Sequence, residues 1–132
     1  MTATVTIALT KANILTSNQR LNHWDKARRT RAIRDMAHVW ARHHKLLRMQ
    51  AATLHVVVAW PPLKRIRDAH NIQPSVKAAI DGICGDYGLL SGDDDRYLKA
   101  VTFTAADEPT TLPGVAAYLT LTFTPATTPG GN

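Results

Sequence analysis

The sequence is poor in several things, and each shortage excludes a class of protein. It has one cysteine, Cys84, in 132 residues. An internal disulfide and a cysteine-based zinc site are therefore excluded, and a reducing, cytoplasmic setting is expected. No apolar run approaches the ~20 residues needed to span a bilayer, so no membrane association is expected. The opening residues MTATVTIALTK lack the early basic residues and long apolar stretch of a secretory signal. There is no internal repeat, no glycine-rich phosphate loop, no HExxH and no G-x-S-x-G elbow.

Acidic residues are scarce in the first half. Residues 1–67 hold 13 Lys+Arg against 2 Asp+Glu, a net +11, whereas residues 68–132 hold 3 against 8, a net −5. The overall +6 thus hides a basic half followed by an acidic one. With 45% hydrophobic and 20% charged residues, the chain has the composition of one soluble globular domain.

Periodicity predicts an α+β fold: a single mixed sheet with helices on one face, in the order β-α-β-α-β-β. Thr2 to Leu9 alternates apolar Val5, Ile7 and Leu9 with Thr4, Thr6 and Ala8, the pattern of a half-buried strand. Residues 11–24 have no period and are expected to be loop. A helix is predicted from about Lys26 to Gln50, with Ile33, Met36, Ala37, Trp40 and Leu47 on one stripe. Its other faces carry Arg28, Arg29, Arg31, Arg34, Arg42, Lys45 and Arg48. So many cations on one helix repel one another without a polyanion to meet. Strands are predicted at 53–60, 97–104 and 115–124, the last two joined as a hairpin through the turn-rich DEPTTLPG. A second helix is expected to start at Pro74 and stop between Gly82 and Gly85. Residues 1–124 would form the domain and 125–132 a flexible tail.

The acidic half supplies the candidates for chemistry. Asp68 follows the central strand, Asp81 lies four residues after Lys77, and Asp93, Asp94 and Asp95 run into the third strand. Ser-Gly-Asp-Asp-Asp before a strand is ordinary turn chemistry. The alternative is a site for a hard cation such as Mg²⁺, which takes one or two carboxylates plus water and phosphate oxygens. Lys77 is either half of a surface ion pair with Asp81 or a group that offsets charge on a phosphate. His70 stands apart from the other histidines because it lies two residues from Asp68.

Residues 65–101, RIRDAHNIQPSVKAAIDGICGDYGLLSGDDDRYLKAV, resemble the core of the RusA family of Holliday junction resolvases. Arg67-Asp68-Ala69-His70-Asn71 matches the family's basic residue and Asp-x-Asp-Asn. Lys77 through Asp81-Gly82 matches its lysine helix, and Gly88-Leu-Leu followed by Asp94-Asp95 matches its final acidic pair. Upstream, LTSNQRLNHWDKARRTRAIRD resembles the family's Asn-x-Arg loop leading into a basic helix.

The resemblance implies a homodimeric, phage- or bacterium-encoded, nucleoid-associated endodeoxyribonuclease. It would resolve four-way DNA junctions by paired incision, using Mg²⁺ (Mn²⁺ as a substitute). It implies Asp68, Lys77 and Asp95 as catalytic, with Asp94 as the alternative to Asp95. Metal would be held by Asp68, His70, Asp81, Asp94 and Asp95. DNA would be held by Asn18, Arg20, Lys26, Arg28, Arg29, Arg31, Arg67 and Asn71. Two departures stand out. His70 replaces the second Asp of the motif, and imidazole is a poor Mg²⁺ ligand though an acceptable one for Mn²⁺. Lys77 lies six residues after Asn71 where the family places its lysine three after. Asp81 or Asp93 could replace the lost charge. A catalytically silent branched-DNA-binding module is the rival expectation.

Overall fold

The computed structural model describes residues 2–62 and 68–126. Four strands, β1 (Ala3–Leu9), β2 (Ala52–Ala59), β3 (Leu98–Ala105) and β4 (Ala117–Pro125), form one mixed sheet in the order β1-β4-β2-β3. Two helices accompany it, α1 (His23–His43) and α2 (Gln73–Ile80). A 3₁₀ turn (Ala69–Ile72) leads into α2, and a π-helical segment (Asp81–Tyr87) continues it. The expected α+β class and element order hold.

The period-two strands behave as their pattern demands. Val5, Ile7 and Leu9 of β1, Leu54, Val56 and Val58 of β2, and Leu119, Leu121 and Phe123 of β4 are all buried on one face. Each such side chain contributes about 1.5–3 kcal/mol on leaving water, which fixes the register, since a one-residue slip would expose the whole set. The opposite face is lined by threonines, with Thr4 opposite Thr122, Thr122 opposite His55, and His55 opposite Thr102 in one cross-strand row.

The hairpin expected between the third and fourth strands does not form. β4 pairs antiparallel with both β1 and β2, so neither of its edges is free, and β3 instead lies parallel to β2. The DEPTTLPG link is a crossover that passes β2, anchored by the Thr110 N–H donating to the Trp60 carbonyl at 2.9 Å. β3 is accordingly an edge strand, and most of its residues are exposed. β4 runs through Pro125, one residue into the stretch expected as tail, and the Ala126 N–H still donates to Ala51 O at 2.9 Å. The rest of that tail, 127–132, lies outside the described residues.

Both ends of α1 differ from the periodicity reading. It begins at His23 because the Asn22 side chain accepts the Asp25 N–H at 2.9 Å and caps the helix. It stops at His43, so Leu47 is off the buried stripe and 65% exposed. Lys45 adopts φ 51°. The Leu46 N–H then reaches back to Ala41 O at 3.3 Å and the Lys45 N–H to Arg42 O at 3.2 Å. This is a Schellman termination with lysine in the place glycine usually takes, which composition does not signal.

The second helix likewise passes the glycines expected to end it. Winding continues to Tyr87, and Gly88, at φ 90°, is the stop. Gly82 has another task. A Cβ there would lie 2.2 Å from the backbone carbonyl oxygen of Arg34, so only glycine allows the π-helical segment to touch α1. Gly82→Ala should cost about 1–3 kcal/mol through overpacking, read as a lower urea midpoint with an unchanged slope. An unaltered midpoint would show that the two helices separate freely.

Candidate functional site

The loop after β1 is the first positioning device. Ile14 and Leu15 are buried, and the Leu15 N–H donates to Ser75 Oγ at 2.8 Å while the Ser75 hydroxyl donates to Leu15 O at 2.7 Å. Ser75 is fully buried, so this reciprocal pair satisfies groups that would otherwise be costly to desolvate. One turn on, the Ser17 N–H donates to Asn71 O at 2.9 Å. The segment bearing Asn18 and Arg20, both exposed, is thereby held against the 3₁₀ turn that follows Asp68.

Arg29 closes the loop from the other side, its Nη1 donating to the carbonyls of Lys11 and Ile14, each at 2.9 Å. Of the basic residues expected to grip DNA, Arg29 is therefore engaged within the protein. Arg20, Lys26, Arg28 and Arg31 are exposed, and Arg28 meets Asp25 at 3.7 Å. Arg67 lies outside the described residues.

Asp68 caps the 3₁₀ turn. Its Oδ1 accepts from the His70 N–H at 2.9 Å and lies 3.1 Å from His70 Nδ1. The backbone N–H of His70, with its ring in second place, holds the Asp68 carboxyl below its usual range. The His70 ring packs 5.2 Å from that of Phe103 on β3, so both the carboxylate and the imidazole are oriented although exposed.

A second grouping forms around Lys77. Its ammonium donates to Asp81 Oδ1 at 3.2 Å, as the four-residue spacing predicts, and also to Asp93 Oδ2. Two carboxylates from distant segments thus meet at one positive charge. Asp93 raises the Lys77 pKa most, with Asp81 adding to it, and Lys77 in turn holds Asp93 low. Beneath them Cys84 is buried, and desolvation, helped by Asp93 and Asp81, pushes its thiol up to about 12. It is inert as a nucleophile at neutral pH.

The three consecutive aspartates have three different environments. Asp93 meets Lys77. Asp94 builds the turn into β3, its carboxylate accepting from Arg96 Nε at 3.1 Å and Nη2 at 2.9 Å and its carbonyl accepting from the Tyr97 and Leu98 N–H groups. Arg96 draws the Asp94 carboxyl down to about 2. The Asp95 side chain is exposed and joins no ion pair with a described residue. The turn reading therefore describes Asp94, whereas Asp93 is paired with Lys77 and Asp95 stays in solvent.

Asp68 and His70 stand at the start of the 3₁₀–α2 stretch and the Lys77 grouping further along it. Among the described residues no three His, Cys, Asp or Glu side chains gather as a metal group. The donor chemistry nonetheless suits a hard divalent ion, because Asp81 and Asp93 already converge carboxylate oxygens on a single cation, the Lys77 ammonium.

Sequence reasoning missed the contact that joins the two halves. Arg34 Nε and Nη2 donate to Asp86 Oδ2 and Oδ1 at 2.6 and 2.7 Å, a bidentate pair between α1 and the π-helical segment. Only spacing across 52 residues encodes it, so no local pattern could reveal it. Arg34 also lines an open groove with His23, Lys26, Thr30 and Arg31. No protein-family model matches the chain, and no curated protein does. Among the described residues no helix is long and apolar enough to cross a membrane.

The Arg34 hydrogen bonds depress the Asp86 pKa below its usual value, so the pair stabilises the fold fully above the unfolded carboxyl value of about 4. That stability is lost as pH falls through the lower native value. Asp86→Asn should lower the melting temperature at pH 7, and the gap to the parent should close below pH ~4. A gap that stayed constant with pH would remove the charge from this account.

Proposed function

We propose that this protein is a divalent-metal-dependent endonuclease acting on four-way DNA junctions as a homodimer, the activity implied by its resemblance to the RusA resolvases. The observation that carries the reading is the convergence of Lys77, Asp81 and Asp93, with the arginine-rich α1 packed against the same helical segment at Gly82. The basic and acidic halves of the chain thereby become neighbours.

Asp81 and Asp93 would hold the ion, with Asp95 and Asp68 as further hard donors. The ion itself would supply Lewis acidity toward the scissile phosphate and its attacking water. Lys77 would meet a phosphate oxygen beside those carboxylates and offset charge developing on phosphorus. Arg20, Lys26, Arg28 and Arg31 would take backbone phosphates, which fixes the DNA's position without reading its sequence. Two-fold symmetry in the enzyme would match two-fold symmetry in the junction, so that two strands are cut as a pair.

The silent-binding reading has one observation in its favour. Asp68, Asp81, Asp93 and Asp94 all have partners within the protein, His70, Lys77 or Arg96. Cleavage of a synthetic four-way junction in Mg²⁺ and in Mn²⁺ decides between the two. Paired incision by the parent is expected, and Lys77→Ala and Asp93→Asn should each lower its rate at least ~10²-fold while junction binding persists. His70→Asp should raise the Mg²⁺-supported rate. Tight binding by the parent with no incision in either metal would leave only the binding module.

A further inference from the structure

Trp24 is the most exposed large apolar side chain among the described residues, at 74%. The other two tryptophans are sheltered, Trp60 within the core and Trp40 half-buried against it. Leaving an indole in water forgoes burial that a core of this size could use, which asks for a reason.

The surroundings supply one. Residues three, four and seven apart share a helix face, so Trp24 shares its face of α1 with Arg28 and Arg31, both exposed. The His23 ring lies against the indole at 4.7 Å, and Lys26 is exposed one turn into the helix. The other exposed large apolar side chain on this helix is Val39, about four turns away. This is one aromatic plate in a field of cations, not an apolar patch, so a protein partner's hydrophobic surface is a poor match. A partner that presents negative charge together with flat π-faces is a good one, and nucleic acid is that partner.

A continuous duplex covers its base faces by stacking them on one another. Single strands and branch points leave faces open. Resting on the DNA-processing reading above, we propose that Trp24 is a stacking platform for an unpaired or branch-point base. Arg28 and Arg31 hold the flanking phosphates, and this contact gives the protein its preference for branched over continuous DNA. Trp24 is thus a specificity-determining residue that acts away from the Lys77 carboxylates.

The test uses the full chain and three labelled probes in fluorescence anisotropy: a four-way junction, a linear duplex of equal length and an oligo-dT strand. Trp24→Ala should weaken binding to junction and oligo-dT about tenfold and leave duplex binding within about twofold, with Trp24→Phe recovering most of the loss. Saturating oligo-dT should also quench tryptophan emission in the parent but not in Trp24→Phe. Equal weakening on all three probes, or weakening on none, overturns the proposal. So does an unquenched parent that anisotropy shows to be bound. A parent that binds no probe fails the nucleic-acid reading as a whole. A parent that prefers the junction and keeps that preference in Trp24→Ala fails the stacking proposal alone.

Discussion

The architecture depends on how closely one backbone can approach another. At Gly82 the π-helical segment lies so near Arg34 that no side chain fits between them. That contact sets the distance between α1, which carries six of the sixteen Lys and Arg residues, and the segment that begins at Asp81. Without it the cationic helix and the carboxylates would be separate surfaces. With it, Arg34 reaches Asp86 with two hydrogen bonds, and Lys77, Asp81 and Asp93 gather on the neighbouring turn.

Around that contact the protein arranges two kinds of electrostatics. Charges engaged inside the molecule, such as Arg34 with Asp86, Asp94 with Arg96 and the two carbonyls on Arg29, build structure. Charges left in solvent, such as Arg20, Lys26, Arg31 and Asp95, are free for partners. Lys77 belongs to both groups. It neutralises two carboxylates, yet more than half of its side chain remains exposed to solvent.

Elements whose code is local were legible in the sequence. Alternation along β1 and β4 and the β-branched run of β2 foretold strands and buried faces, because period-two patterning and burial are one constraint. Helix ends were less legible. Asn22 carried a capping signal that the polar loop around it concealed, and Lys45 ends α1 in a left-handed conformation that nothing about lysine announces. Pairing partners were the least legible. A turn-rich link between two strands reads as a hairpin, yet β2 and β1 compete for β4 and take both its edges. At the candidate site, the Lys77–Asp81 pair followed from a four-residue spacing. Asp93 as the second partner, and Asp94 as a turn builder, depended on where the loop lands.

The π-helical winding fixes more than an axis. Bonding from i to i+5 stacks residues five apart, so Asp81 and Asp86 come to the same side, and Arg34 responds to both carboxylates. Ordinary α winding would turn each successive residue by about 100° and carry Asp86 away from α1. Chain length in this one coil is therefore part of the electrostatic code. Losing a single residue between Asp81 and Asp86 would leave the two carboxylates four apart, a spacing that ordinary α winding already brings to one side, so the extra residue and the wider winding belong together.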